Sequence, residues 1–188
     1  MFQISNVCKI VIIASFFGSL FMLTGCAAPS RSCNMMVAKS DLSPNLPKKS
    51  CCFTNNVCVG EVEGGSETHP LGRSLVDNGA FKNALEKSLV NVDLYHDNPK
   101  ARYILNAKLE KLKQPLIGFD FTVTCQTKYQ IFDQQKNKIV FERTLTTPYT
   151  ASFTSSIIGI ERMKVANEGA VRENIRNLIN QLYSIQRS

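Results

Sequence analysis

Tryptophan is absent from this 188-residue chain, histidine occurs twice, and Gly and Pro together number only 17. That scarcity of Gly and Pro excludes collagen-like and low-complexity chains. No block of five or more like charges occurs, and no basic stretch is arginine-rich or interleaved with aromatics, so nucleic acid is not an expected partner. Catalytic signatures are missing too. There is no GxSxG elbow, no SxxK with its companions, no carboxylate pair suited to acid–base work and no six-residue aliphatic repeat. His69 and His96 fall in expected loops without a ligand-spaced partner and read as surface residues. The expectation is a protein that is not an enzyme and has no cofactor or metal. What is present is 44% hydrophobic composition, which excludes chain-wide disorder and suffices for one domain with a core. A formal charge of +7 arises from 22 Lys+Arg against 15 Asp+Glu. Seven cysteines are many for a cytosolic protein and few for a small disulfide scaffold.

The first 25 residues carry one charged side chain, Lys9, followed by the apolar run Ile10 to Leu23. At ~1.5 Å per residue that run is shorter than the roughly 20 residues a permanent span needs, so it reads as the apolar region of a signal peptide. Directly after it stand Leu23, Thr24, Gly25 and Cys26, where two small residues open the backbone to a peptidase and a thiol occupies the processing position. This tetrad resembles the lipobox of bacterial lipoproteins. The resemblance implies that Cys26 is diacylated with chains such as palmitate, that residues 1–25 are removed, and that the new amino terminus is acylated. Several acyl chains on one cysteine, at ~0.8 kcal/mol per buried methylene, suffice for stable anchoring. Ala27 is not the aspartate that retains enteric members of the family at the inner membrane, so the implied address is the outer membrane, facing the periplasm. The alternatives are a secreted soluble protein cut elsewhere and an uncleaved anchor.

Removal of residues 1–25 lowers the charge to +6. Residues 26–56 are rich in Ser, Pro, Asn and Lys, and Pro29, Pro44 and Pro47 break any periodicity, so a flexible tether is expected there. The folded domain is expected over 57–188. Val57 to Val62 predicts a short strand ending in a turn at Gly64-Gly65; Glu63 and Glu67 beside those glycines argue against a phosphate loop. Asp77 or Asn78 can cap a helix with Phe81, Ala84, Leu85, Ser88 and Leu89 on one face. Residues 101–113 fit either period: Tyr103, Leu105, Ala107 and Leu109 alternate, whereas Leu105, Leu109 and Leu112 share a helical face, and propensity favours helix. From Phe119 to Ile131 apolar residues alternate strictly with polar ones, predicting a long half-buried strand. Ile139 to Thr147 predicts its hairpin partner, with Ile139, Phe141 and Leu145 on one face, and Pro148 and the hydroxyl-rich stretch to Ser156 interrupt it. From Glu161 to Gln186 a second amphipathic helix follows, its stripe Val171, Ile175, Leu178, Leu182, Ile185, with Lys164, Glu168, Arg172, Arg176 and Asn180 off the stripe.

The order strand, Gly64-Gly65, helix 81–89, strand pair, then 159–162 and 166–175 is similar to small uncharacterised proteobacterial envelope lipoproteins, and more distantly to lipopolysaccharide-assembly and other accessory lipoproteins. The resemblance implies an α+β fold: a mainly antiparallel sheet of about four strands, covered on one face by two amphipathic helices and preceded by signal peptide and tether. It also turns 101–113 from helix to strand. Cys125, on the apolar face of its strand, reads as a small buried hydrophobe. Cys33, Cys51, Cys52 and Cys58 remain as an even set of candidate disulfide partners in an oxidising compartment, with three connectivities open; a zinc site is the rival reading, and no CxxC pair supports it. The resulting expectation is a lipid-anchored, non-enzymatic accessory lipoprotein, held to the membrane by its N-terminal lipid and docking an envelope protein partner. The alternative is a lipid- or lipopolysaccharide-binding transport module, with Arg162 and Lys164 touching the anionic lipid.

Overall fold

The strictly alternating segment sets the architecture. In the computed structural model, which describes residues 27–42, 52–68, 74–98 and 100–185, it becomes the central strand β3 (Phe121–Asp133), with every odd-numbered residue buried. Its neighbours are β2 (Tyr103–Lys113) and β4 (Lys138–Ala151), both antiparallel to it, and β1 (Val57–Glu63) lies outside β2, parallel to it. The sheet is therefore mixed, β1-β2-β3-β4, with the helix α2 (Asn78–Asn91) making the crossover between its one parallel pair. Helix α3 (Gly159–Ser184) returns across β3 and β4. The α+β class and the two long helices on one face are as expected.

Local chemistry accounts for the departures. Asp77 caps α2, its Oδ1 accepting the Ala80 N–H at 2.8 Å. Segment 101–113 is a strand, and its helix-like spacing has a cause: the β2–β3 register slips between Leu109 and Lys111, so the extra residue returns Leu112 to the core side opposite Cys125. A second slip, at Ile131/Phe132, places Val140 as the extra residue of β4. Ile139 thereby leaves the face of Phe141 and Leu145 and is 50% exposed, contrary to expectation. Strand β4 runs through Pro148 to Ala151 rather than stopping before it, because β4 is an edge strand where a residue lacking an N–H is tolerated. Phe119 does not join β3 and stands 82% exposed in the loop before it.

The core lies between the sheet and α2/α3, around Phe81, Leu85, Leu105, Tyr129, Ile131, Ile175 and Leu178. At its centre Asn174 of α3 is fully buried. Its Oδ1 accepts the Tyr129 hydroxyl at 2.9 Å, and its Nδ2 donates to the Leu145 carbonyl at 2.9 Å, Thr147 Oγ1 at 3.1 Å and the Cys125 carbonyl at 3.3 Å. One amide thus ties the helix to both β3 and β4. Nearby, a Cβ at Gly169 would lie 2.3 Å from the Tyr149 ring, so glycine there allows helix and strand to approach. At the chain reversal after β1, Gly64 has φ +81° and its Cα sits beneath the Leu109 carbonyl, which makes the expected turn.

The largest difference from expectation is at 27–42. This segment is docked rather than a flexible tether. The short helix α1 (Ser32–Met35) packs against both α2 and α3. Met35 and Val37 are fully buried. Glu168 of α3 receives the Arg31 N–H at 2.7 Å and the Asn34 amide at 2.8 Å; the Val37 N–H bonds Ser88 Oγ at 2.8 Å, and Asn91 donates to the Val37 carbonyl. Two apolar anchors and satisfied backbone groups hold it in place despite its polar composition.

Candidate functional site at the loop end of the sheet

Strands β1 and β2 end, β3 begins, β4 ends and α3 begins at one pole of the molecule. Two loops cover that pole, residues 114–120 and 152–158. Asp120 Oδ1 accepts the Phe153 N–H at 2.9 Å and joins them, and the Phe119 and Phe153 rings meet edge-to-face with centroids 6.2 Å apart. Beneath them lies Arg162, 5% exposed, its guanidinium over the Phe121 ring at 4.6 Å and the Phe153 ring at 5.0 Å while Nη1 donates to the Ser156 carbonyl at 2.6 Å. A desolvated cation over two aromatic faces is worth about 2 kcal/mol or more. Arg162 therefore braces the 152–158 loop against β3 from inside.

This placement corrects one sequence expectation. Arg162 and Lys164 are buried, at 5% and 7% exposure, and do not form a surface for anionic lipid. Lys164 Nζ lies 3.8 Å from Glu161. Lys164 and Glu168 are also not off the apolar stripe of α3: both are on the inner side of the helix, where Glu168 holds the N-terminal segment.

The same pole receives that segment. Ser74 Oγ donates to the Ala28 carbonyl at 2.9 Å, the Ser30 N–H to the Leu75 carbonyl at 3.3 Å, and the Ser74 carbonyl accepts from both Gln114 Nε2 at 2.8 Å and Asn167 Nδ2 at 2.7 Å. Gln114 opens the 114–120 loop, so Ala28, next to the buried Ala27, is linked to that loop through Ser74. Leu23, Thr24, Gly25 and Cys26 lie outside the described residues, as do Cys51 and His69.

The remaining candidate residues are dispersed. Cys33 is exposed on α1 and has a weak contact to Asn34 Oδ1. Cys52 interacts with Tyr103, and Cys58, on β1, is half-buried with its thiol pKa pushed up by burial. Cys125 is fully buried, its thiol pushed up to about 11 by desolvation, in keeping with a core role. His96 Nδ1 accepts the Asn98 N–H at 3.0 Å. At the opposite pole, β4 and the end of α3 border an open cleft of about 630 Å³ lined by Ile139, Phe141, Glu142, Arg143, Gln181 and Ile185. Among the described residues, no group of three His, Cys, Asp or Glu could hold a metal ion, and no helix is long and apolar enough to cross a membrane.

These features define a βαβββα sheet-and-helix domain with a docked N-terminal segment. The same fold occurs in solved proteins of low identity. A Xanthomonas campestris protein of the DUF330 family is 13% identical with a TM-score of 0.56, covering 78% of this chain and 92% of its own. A minor lipoprotein of Acinetobacter baumannii is 14% identical with a TM-score of 0.51, covering 71% and 95%. A hypothetical protein of Chlamydia trachomatis is 11% identical with a TM-score of 0.50, covering 68% and 95%. No family model and no curated protein matches the chain.

Proposed function

We propose that this chain is a lipid-anchored, non-enzymatic accessory lipoprotein of a bacterial outer membrane, facing the periplasm and docking an envelope protein. One observation carries the reading: Ala27, the residue directly after the Leu23-Thr24-Gly25-Cys26 tetrad, is packed on the folded domain at its loop end. A cleaved and acylated Cys26 would then sit at the domain surface. The shared fold with a protein named as a minor lipoprotein supports the same assignment. The alternative of lipid or lipopolysaccharide carriage loses its expected contacts, since Arg162 and Lys164 are buried and Ala27–Leu42 lies over the two long helices.

The test is processing in cells. Globomycin, which blocks the cleavage that follows diacylation, makes a palmitate-labelled precursor accumulate, whereas Cys26→Ala abolishes the labelling and changes membrane fractionation; crosslinking of the wild-type protein then identifies the docked partner. Unchanged mobility under globomycin, with unchanged labelling and fractionation of the Cys26→Ala protein, would refute the anchor.

A further inference from the structure

The loop end presents an apolar surface that the fold leaves largely uncovered. Ile117 is 91% exposed, Phe119 82%, Ile157 81%, Leu116 79%, Ile158 59% and Phe153 43%. Single exposed hydrophobic residues need no explanation, but six on two adjoining loops form a patch of the kind that marks an interaction surface. Between Gln114 and Asp120 and between Ser152 and Ile160 the only charged side chain is Asp120, whose carboxylate already accepts the Phe153 N–H. Exposed Lys111 and Lys113 flank the patch at the end of β2, where ammonium groups suit lipid phosphates.

We infer that this loop end is a second membrane contact: Leu116, Ile117, Phe119, Phe153, Ile157 and Ile158 insert into the same bilayer leaflet that holds the Cys26 lipid. The inference rests on the anchored reading, and the position of Ala27 selects the bilayer as occupant. Ala28, two residues on from Cys26, bonds Ser74; Ser74 bonds Gln114, three residues from Ile117. At no more than ~3.6 Å per residue, plus the two hydrogen bonds and the Ser74 and Gln114 side chains between them, the anchor leaves the domain within about 35 Å of the patch. A leaflet that holds the acyl chains therefore lies within reach of both loops. Apolar side chains on such loops would sit about 5–10 Å deep at the headgroup boundary, as for other interfacial segments.

The absence of tryptophan makes the test direct. The full lipoprotein carrying Phe119→Trp is reconstituted into phosphatidylethanolamine–phosphatidylglycerol vesicles with and without brominated acyl chains, beside Ile139→Trp at the other pole as control. The expected result is a blue-shifted emission from the Phe119→Trp protein that loses most of its intensity to the brominated chains, while the emission of the Ile139→Trp protein stays red-shifted and unquenched. Adding Ile117→Asp to Phe119→Trp is expected to relieve the quenching without changing the melting temperature, since residue 117 is 91% exposed. Solvent-like, unquenched emission from the Phe119→Trp protein overturns the inference. So does a blue shift without bromine quenching, which would mean that a protein surface or a second copy covers the loops. Palmitate labelling of the same preparation keeps the two readings apart: missing label overturns the anchor, and quenching of vesicle-floated protein then judges the loops alone.

Discussion

Replacing Asn174 by alanine should be among the most costly single changes in this fold. The substitution removes one partner each from the fully buried Tyr129 hydroxyl and the Leu145 carbonyl, both of which bond the Asn174 amide at 2.9 Å, and it removes the tie to Thr147. A lost hydrogen bond in the interior costs about 0.5–1.5 kcal/mol, so the loss of several together, with the small cavity, amounts to ~2–4 kcal/mol. Against the roughly 5–15 kcal/mol of a typical domain, that is a large fraction of the stability. Urea unfolding followed by circular dichroism measures it. The pairwise part is isolated by Tyr129→Phe and the double variant: the double should be less destabilised than the two singles added together, by ~1–2 kcal/mol, because both singles break the same Tyr129–Asn174 bond. A loss below ~0.5 kcal/mol for Asn174→Ala, or strict additivity, would refute the view that this amide couples helix to sheet.

Met35→Ala removes a fully buried thioether from the N-terminal segment and should weaken its docking by ~2–5 kcal/mol; faster amide exchange at Val37 and new protease cleavage between residues 31 and 42 would report it, and unchanged protection would mean the segment does not dock through Met35. Asp133 accepts hydrogen bonds from the half-exposed Arg102 guanidinium, which with backbone N–H groups holds its pKa below the ordinary aspartate range. The unfolded carboxylate therefore takes up its proton at higher pH than the folded one. Its stabilisation is complete above the usual aspartate value near ~4 and is lost as pH falls through the folded value. The advantage of wild type over Asp133→Asn in urea midpoint should accordingly shrink on acidification below ~4, and a growing advantage would contradict the assignment.

The elements that sequence alone displays are those whose side-chain period matches one buried face. Strand β3 and helices α2 and α3 are legible for that reason, because each repeats its pattern over several turns or pleats. Strand β2 is ambiguous because the slip after Leu109 gives Leu112 a helical phase, and only a pairing partner reveals a bulge. The docking of 27–42 depends on two apolar anchors, Met35 and Val37, too few to make a period, and on Glu168, 134 residues distant from the Asn34 it binds. A signal for Glu168 and Lys164 does exist. Carrying the 4,3 spacing of α3 back from Val171 reaches 168 and then 164, so both belong to the inner stripe despite their charge. The loop patch is hidden for the opposite reason: Phe119 continues an alternation that the backbone has not yet begun, and Ile157-Ile158 follow a run of hydroxyl residues.

For a chain anchored at Cys26, the docked N-terminal segment would set how high above the membrane the domain works. A flexible chain of about 30 residues would let the domain roam roughly 30 Å from its anchor, and a partner could be met at any angle. With Ala27 packed at the loop pole, an acylated Cys26 would leave almost no slack. The long strands would then stand upright on the bilayer like posts. Fourteen residues of β4 at ~3.3 Å each would lift the far end by about 45 Å. The cleft beside Phe141 and Gln181 would be carried at that fixed altitude, so any partner received there would be met at a set distance from the lipid surface and in one orientation.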